Sequence, residues 1–264
     1  MIKTDGRILI SAHLGADLYR LMVEVPDIAA SAQPGQFVHI RVGRSTVPLL
    51  RRPLSIHAVN GRSIELLYKV VGEGTRLLPE MEEGDQIDLI GPLGRGFVIE
   101  EVDGYLLVGG GVGIAPLFYL SQVLRARGVS VTALYGASTA EALVRREELE
   151  SMGVNVSVTT DDGSVGRRGL VTDLLEDWLA DRGDRDREHM RICASGPVGM
   201  LRRISDLVIP LEIPLEISVE ERMACGVGAC LGCAIPARAG GYLQVCTDGP
   251  VFDARDVVLP PRKQ

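Results

Sequence analysis

Between residue 8 and about residue 97, apolar and polar positions alternate in short runs, which is the pattern of half-buried β-strands. Residues 19–25, 37–42 and 63–71 are rich in β-branched residues, leucine and aromatic residues. Turn residues separate the runs, and Asn60-Gly61 is a strong hairpin signal. Short strands at this close spacing predict a small antiparallel β-barrel.

After residues 91–94 the pattern changes to apolar runs that alternate with stretches of helical periodicity. Strands are predicted at residues 105–108, 129–135, 154–160, 190–194 and 215–220, and helices at about 116–127, 140–152, 173–179 and 197–207. Strands that alternate with helices predict a parallel, doubly wound α/β sheet. Residues 181–188 carry mixed charges and are predicted to form a solvated loop.

The third part of the chain contains four of its five cysteines, namely Cys225, Cys230, Cys233 and Cys246. Four, two and twelve residues separate them in turn, and glycines lie between the first three. The first two spacings match the C-x₄-C-x₂-C pattern of a plant-type [2Fe–2S] site. A structural zinc site with four cysteines is the alternative, although such sites usually contain two Cys-x-x-Cys pairs.

The chain therefore divides into a multi-domain β plus α/β architecture with three predicted parts. An N-terminal antiparallel barrel is expected at residues 1–98, a parallel α/β domain at 99–222 and a small cysteine lobe at 223–264.

Composition narrows the function. A net charge of -7 without a basic block gives no support for a nucleic-acid partner. The most apolar segment, residues 105–120, contains glycines and a proline, so it is expected to be a buried strand and turn and not a membrane span. The N-terminus lacks the pattern of a signal peptide. An odd number of cysteines, four of them crowded together, indicates a reducing, cytoplasmic setting.

Two candidate anion sites lie on the predicted barrel. Arg51 and Arg52 precede Pro53-Leu54-Ser55, and the planar fork of an arginine suits a phosphate. The alternative is a charged strand end on a solvated face. Residues 71–75 (Val-Gly-Glu-Gly-Thr) can form a nest of backbone N–H groups, or a plain glycine turn.

Two further candidates follow strands of the predicted sheet. Residues 109–116, GGGVGIAP, end a strand and open a helix, where N–H groups converge on a pyrophosphate. Tight packing between strand and helix is the alternative. Ser195-Gly196-Pro197 occupies the same kind of position after a later strand, and the two loops are expected to flank one ligand at the carboxyl edge. Cys193 is expected to be a small buried residue. The histidines, at positions 13, 39, 57 and 189, receive no function.

Together these elements resemble the ferredoxin–NADP reductase superfamily and, within it, the electron-transfer subunits of class B dihydroorotate dehydrogenases. The combination that carries the resemblance is a reductase-like core followed by CGVGACLGC and a later cysteine. Two positions depart from the usual pattern. Leu54 stands where many members have an aromatic residue, and Ser195 stands where they usually have cysteine.

The resemblance implies FAD in the barrel, NAD(H) as substrate on the α/β domain, and a [2Fe–2S] cluster on Cys225, Cys230, Cys233 and Cys246. The implied FAD contacts are Arg52, Pro53, Leu54, Ser55, Lys69, Val70, Val71, Gly74 and Thr75. The implied nicotinamide nucleotide contacts are Gly109, Gly110, Gly111, Val112, Gly113, Ala115, Pro116, Ser195, Gly196 and Pro197. NADH is preferred over NADPH, since no arginine directly follows the second strand of the sheet.

By the same resemblance, electrons pass from NADH through FAD and the cluster to the FMN of a separate dihydroorotate dehydrogenase catalytic subunit, in a heterotetramer of two plus two. No residue here looks like the base for dihydroorotate chemistry, so no catalytic residue is assigned. Two alternatives stay open. The first is a related reductase subunit of a transhydrogenase or hydrogenase, and the second is a flavin-free interaction subunit with structural zinc.

Overall fold

The computed structural model describes residues 1–43, 47–181, 183 and 189–260. Six strands form the N-terminal barrel: β1 (Ile2–Gly15), β2 (Leu18–Glu24), β3 (Phe37–Ile40), β4 (Arg52–Asn60), β5 (Ser63–Lys69) and β6 (Gln86–Leu93). They close in the order β1-β2-β5-β4-β3-β6, and every pair is antiparallel. The predicted hairpin at Asn60-Gly61 joins β4 to β5, with Gly61 at a positive φ of 59°. Two short helices, α1 (Pro26–Ser31) and α2 (Glu73–Arg76), lie between barrel strands.

The second unit is a parallel sheet with helices on both sides. Its strands are β7 (Gly104–Gly110), β8 (Ser130–Ala137), β9 (Asn155–Thr160), β10 (Arg167–Arg168), β11 (Met190–Ser195) and β12 (Leu215–Ser218). Its helices are α3 (Ile114–Ala126), α4 (Arg146–Ser151), α5 (Val171–Ala180) and α6 (Val198–Val208). The strands lie in the order β10-β9-β8-β7-β11-β12. Neighbouring strands follow one another backward along the chain from β10 to β7 and forward from β11 to β12. The topological switch point between β7 and β11 is where such sheets bind ligands.

One helix differs from the expectation. The continuous helix predicted at residues 140–152 is instead a 3₁₀ turn, Ala140–Ala142, followed by the short helix α4. Arg145 separates them because its backbone adopts a left-handed conformation with φ of 65°. Most of the predicted solvated loop at 181–188 lies outside the described residues.

The cysteine lobe is small and shares its core with the sheet. A hairpin of β13 (Ala234–Pro236) and β14 (Tyr242–Gln244) precedes β15 (Val251–Asp253), which pairs antiparallel with β12. Ile235, Val245 and Phe252 belong to the same buried cluster as Ile217 of β12. The predicted boundary between residues 222 and 223 therefore crosses one continuous packing unit. Among the described residues, no helix is long and apolar enough to span a bilayer.

Candidate functional site

A cleft of about 840 Å³ opens where the barrel, the sheet and the cysteine lobe meet. This volume falls in the range of cofactor pockets, about 300–1,000 Å³. Strands β4 and β5 form one wall, the start of α3 forms another, and residues 218–223 form the third. The residues singled out from the sequence that line it are Arg51, Arg52, Pro53, Leu54, Ser55, Lys69, Val71, Gly72, Thr75, Val112 and Ala115.

The arginine of the barrel motif lies across a glycine. A Cβ on Gly74 would lie 2.0 Å from Arg52 Nε, so the absence of a side chain at Gly74 lets the guanidinium lie in this position. Arg52 Nη1 donates hydrogen bonds to the carbonyl of Leu50 and, at 3.4 Å, to that of Arg51. With only these two acceptors among the described residues, its Nε and Nη2 donors can face an anion in the cleft. Arg51 is committed elsewhere, because it forms an ion pair with Asp88 at 2.6 Å.

The turn before α2 is closed by its own threonine. Thr75 Oγ1 accepts hydrogen bonds from the N–H groups of Val71 at 2.9 Å and Gly72 at 3.2 Å, and donates one to the Gly72 carbonyl. The predicted nest therefore shapes the turn beneath Arg52, and two of its N–H groups already have a partner.

Two features of the cleft have no counterpart in the sequence-based prediction. The Tyr68 side chain is buried against the cleft, and its hydroxyl has no hydrogen-bond partner in the part of the chain that the structure describes. A ligand that accepts or donates there would remove a desolvation cost. Residues 218–223 form a wall that includes the carboxyl group of Glu220. Neither carries a sequence signal, since Tyr68 looks like any strand residue and the wall is formed by chain topology.

The two glycine loops of the sheet are in direct contact. A Cβ on Gly110 would lie 2.5 Å from the Sδ of Met200, and one on Gly113 would overlap the Ser195 carbonyl. Tight packing thus explains both glycines, and the loop also presents Val112 and Ala115 to the cleft. Ser195 itself is buried, with 2% of its surface exposed. The cleft lining does not include the predicted contacts Gly109, Gly110, Gly111, Gly113, Pro116, Ser195, Gly196 and Pro197 of the sheet, or Val70 and Gly74 of the barrel.

The four lobe cysteines differ in exposure. Cys233 and Cys246 are buried, Cys225 is half-buried and Cys230 is exposed, and all are free thiols. Backbone N–H groups surround the sulfurs: Gly228 donates to Cys246 at 3.2 Å, Gly232 to Cys230 at 3.4 Å, and Val227 to Cys225 at 3.5 Å. Among the described residues, no three histidine, cysteine or carboxylate side chains lie close enough together to bind a single metal ion. The features that bear on a cluster are the thiols and the N–H groups around them.

The electrostatics of the lobe favour thiolates at its rim. The N–H of Val227 lowers the pKa of Cys225 to about 6, with further support from groups of Cys230 and Ala229. Burial, with the neighbouring Cys233, raises the pKa of Cys246. Because thiolates are the ligands of iron and N–H···S bonds tune cluster potentials, the donor set fits an iron–sulfur cluster.

A buried histidine connects the lobe to the barrel. His39 on β3 pairs with Pro53 on β4, and a Cβ on Gly226 would lie 2.5 Å from its Nδ1. Burial, helped by Arg51, lowers the pKa of His39 to about 4, so the ring is neutral at neutral pH. The His39 side chain therefore links β3, the neighbour of the cleft-lining strand β4, to the loop that carries Cys225.

Comparison with protein families gives two matches along the chain. Residues 220–258 match the iron–sulfur cluster binding domain of dihydroorotate dehydrogenase B. Residues 107–206 match the oxidoreductase NAD-binding domain.

Curated relatives match over almost the full length. The dihydroorotate dehydrogenase B (NAD(+)) electron transfer subunit of Bacillus caldolyticus is 42% identical, over 98% of this chain and 100% of its own. That of Desulforamulus reducens is 38% identical, over 96% and 97%.

Solved structures show the same fold. An NADH-dependent reduced ferredoxin-NADP oxidoreductase aligns with a TM-score of 0.86 and 30% identity, over 96% of this chain and 90% of that one. A ferredoxin NADP+ reductase from Neisseria gonorrhoeae aligns with a TM-score of 0.66 and 19% identity, over 79% and 91%.

Proposed function

Because the chain belongs to the family of dihydroorotate dehydrogenase B electron transfer subunits, we propose that it carries electrons between NAD(H) and the FMN of a dihydroorotate dehydrogenase catalytic subunit in pyrimidine biosynthesis. Its cofactors are FAD and an iron–sulfur cluster, for which we propose the [2Fe–2S] type, and NAD(H) is its substrate. FAD exchanges electron pairs with the nicotinamide and single electrons with the cluster.

The observation that carries this proposal is the adjacency of the cleft and the cysteine lobe. Residues 218–223, which line the cleft, lead directly into Cys225, and Met223 and Pro250 of the lobe reach the cleft wall. Across the barrel, β4 lines the cleft while its neighbour β3 contacts the Cys225 loop through His39. A flavin in this cleft is therefore held beside the cluster by continuous protein contacts.

Each residue group has a proposed role. Arg52 and the turn of Gly74 and Thr75 hold the FAD pyrophosphate. Pro53, Leu54, Ser55, Lys69 and Val71, which line the cleft, position the rest of the flavin. Val70 lies between two of these residues in the chain and supports them from outside the lining. Residues 109–116 and 195–197 hold NAD(H) at the switch point of the sheet. Cys225, Cys230, Cys233 and Cys246 ligate the cluster.

The exposed end of the cysteine lobe supports a proposal for where the catalytic subunit binds. Cys230 is exposed, and Val227 and Leu231 beside it expose 39% and 63% of their surface. We place the catalytic subunit on this face, in a heterotetramer of two plus two. A reducing compartment, the cytoplasm, is the setting that suits free thiols.

A second candidate function rests on the solved oxidoreductase that is 30% identical to this chain, since the alignment covers 90% of that protein. In that case the same path serves another complex of transhydrogenase or hydrogenase type. Co-purification from the native host distinguishes the two. Recovery of a dihydroorotate-oxidising FMN subunit supports the first, and recovery of other redox subunits alone supports the second. The mass of the purified complex tests the stoichiometry.

The cofactor assignment is tested by the absorption spectrum and metal content of the purified chain. Flavin and iron–sulfur bands are expected, whereas a colourless protein with one zinc would contradict the proposal. The variant Arg52→Ala should weaken FAD binding by about ten- to a hundredfold, since hydrogen bonds to charged groups contribute about 1.5–3 kcal/mol. Arg62→Ala, which removes an exposed arginine at the far turn of the barrel, is the control.

A further inference from the structure

A cluster of charged and aromatic side chains is buried between the barrel and the α/β domain, outside the cleft. Glu65 on β5 is fully buried, and its Oε2 accepts a hydrogen bond from Arg20 on β2 at 2.6 Å. Its Oε1 faces the NH2 of Arg145 at 3.3 Å and the Nε2 of His57 at 3.7 Å. Arg20, Glu65 and His57 belong to the barrel, whereas Arg145 reaches across from the loop before α4.

Aromatic contacts complete the cluster. The guanidinium of Arg145 lies 4.9 Å from the ring centre of Phe118 on α3. The His57 ring stacks on Phe118 at 4.3 Å. Arg145 is the N-cap of α4, and its left-handed backbone costs free energy for a residue other than glycine.

His57 is bonded to the nucleotide loop. Its Nδ1 lies 3.1 Å from the carbonyl oxygen of Ala115, and because a carbonyl only accepts, Nδ1 is the donor. Burial, followed by the charge of Arg145, lowers the pKa of His57 to about 3, so the ring is neutral and Nε2 carries no proton. Ala115 lies in the first turn of α3 and also lines the cleft.

The hydrogen bond between His57 and Ala115 joins the strand of the proposed flavin site to the loop of the proposed nucleotide site. His57 follows Ser55, a cleft residue, by two positions on β4, which is about 6–7 Å along a strand. It is the extra residue of a β-bulge, since Ile56 pairs with Leu66 and Ala58 with Glu65. Bulges redirect side chains, and this one lies beside Phe118 and Ala115 of the α/β domain.

We propose that His57, Glu65 and Arg145 are positioning residues that hold the nucleotide loop at a set distance from the flavin strand and so determine the geometry of hydride transfer between NADH and FAD. This role rests on the proposed function. Glu65 neutralises Arg145, Arg145 and Phe118 orient the His57 ring, and His57 fixes Ala115. Arg20 keeps Glu65 paired when Arg145 is removed, so the barrel retains its buried ion pair.

The test compares Arg145→Met and His57→Leu with wild type in rapid mixing with NADH. The limiting rate of flavin reduction should fall about tenfold to a hundredfold, as for a small misplacement of reacting groups. The isotope effect with NADH deuterated at C4 should rise, and the long-wavelength absorption of nicotinamide stacked on flavin should weaken. Apparent NADH affinity and FAD content should change much less. Arg145→Lys should restore part of the rate.

A hydrogen-exchange measurement and a control variant test the positioning role without relying on activity alone. Hydrogen exchange of FAD-loaded protein without NADH should increase in peptides covering residues 109–118 and stay unchanged in β2. Glu24→Gln, which removes an exposed carboxylate paired with Arg62, is the matched control and should behave as wild type. Folded variants with wild-type limiting rates and stacking absorption would overturn the inference, as would exchange that is unchanged at 109–118. If wild type itself is not reduced by NADH, the proposed function fails instead.

Discussion

Exposure separates the four lobe cysteines. Cys230 is exposed, whereas Cys233 and Cys246 expose 3% and 2% of their surface. A substitution at an exposed position leaves no cavity in the core. Of the four proposed ligands, Cys230 is therefore the one whose side chain can be replaced with the least disturbance of packing.

We expect Cys230→Ser to lose the cluster while NADH still reduces the flavin, because residues 52–55 and 109–116 lie on other elements. Iron content, the electron paramagnetic resonance of the reduced cluster and anaerobic bleaching of the flavin are the measurements. Transfer to the catalytic subunit should fall to background. Cys193→Ala, which removes the buried cysteine of β11, should keep its iron. Loss of flavin reduction in a folded Cys230→Ser protein would show that the two sites are not separate.

The neutral state of His57 predicts a pH dependence of stability. Its pKa is about 3 in the folded chain against 6.5 when unfolded, so the unfolded state binds the proton more readily between these values. The stabilising contribution is complete above about pH 6.5 and is lost as pH falls, at up to about 1.4 kcal/mol per pH unit. The free energy of unfolding, measured with denaturant at several pH values down to about 5, should depend less steeply on pH in His57→Leu than in wild type. Equal slopes would contradict the neutral assignment.

Sequence located some residues of the cleft and missed others for physical reasons. Residues 52–55 were recognisable because arginine, proline and a hydroxyl residue occur together on a predicted strand. Tyr68 was not, since its unpartnered hydroxyl is visible only from its surroundings. His57 and Glu65 were not, because they lie eight positions apart and are joined by Arg145, which comes from a different domain.

At the level of elements, the main strands of the barrel and of the parallel sheet followed from periodicity, whereas the order of the strands is known only from the structure. The helix expected at 140–152 is interrupted because Arg145 has a positive φ, and no residue type there predicts it. β15 is only three residues long, and it is a strand because β12 offers it an open edge. Such pairings depend on distant parts of the chain and leave no periodic signal.

The elements around β8 predict the choice of nucleotide. The first arginines after this strand are already paired, Arg145 with Glu65 at 3.3 Å and Arg146 with Glu150 at 2.8 Å. Asp161 and Asp162 are exposed at the carboxyl end of β9. A 2′-phosphate would meet carboxylates and find no free guanidinium on α4, which disfavours NADPH.

We therefore expect NADH to reduce the flavin with at least about tenfold higher kcat/KM than NADPH, a difference of about 1.4 kcal/mol. Steady-state and rapid-mixing rates with both nucleotides measure it. Arg146→Gln should leave the ratio unchanged, because its guanidinium is held by Glu150. A selective loss of NADPH activity in Arg146→Gln would assign that arginine to the phosphate after all.

For the whole molecule, the cysteine lobe is part of the α/β core and not an appendage. β15 extends the sheet beyond β12, and Ile235, Val245, Phe252 and Val257 share a buried cluster with Ile217. The lobe also closes the third wall of the cleft through Met223 and Pro250. The proposed route from flavin to cluster would thus run through a single packed body, which would keep the distance between the two cofactors constant.

This packing predicts that the lobe cannot be removed without unfolding the sheet. Burial of an aliphatic or phenylalanine side chain contributes about 1.5–3 kcal/mol, so the four lobe residues together approach the total stability of a typical domain, about 5–15 kcal/mol. A chain that ends at residue 222 should be aggregated or unfold at a much lower temperature. It should also retain FAD poorly, because it lacks Met223 and Pro250 of the cleft lining and the lobe residues that pack against β12. A chain that ends at residue 260 keeps β15 and should match wild type. A folded 1–222 protein that binds FAD normally would show that the lobe is an independent module, and the fixed distance between flavin and cluster would then need another cause.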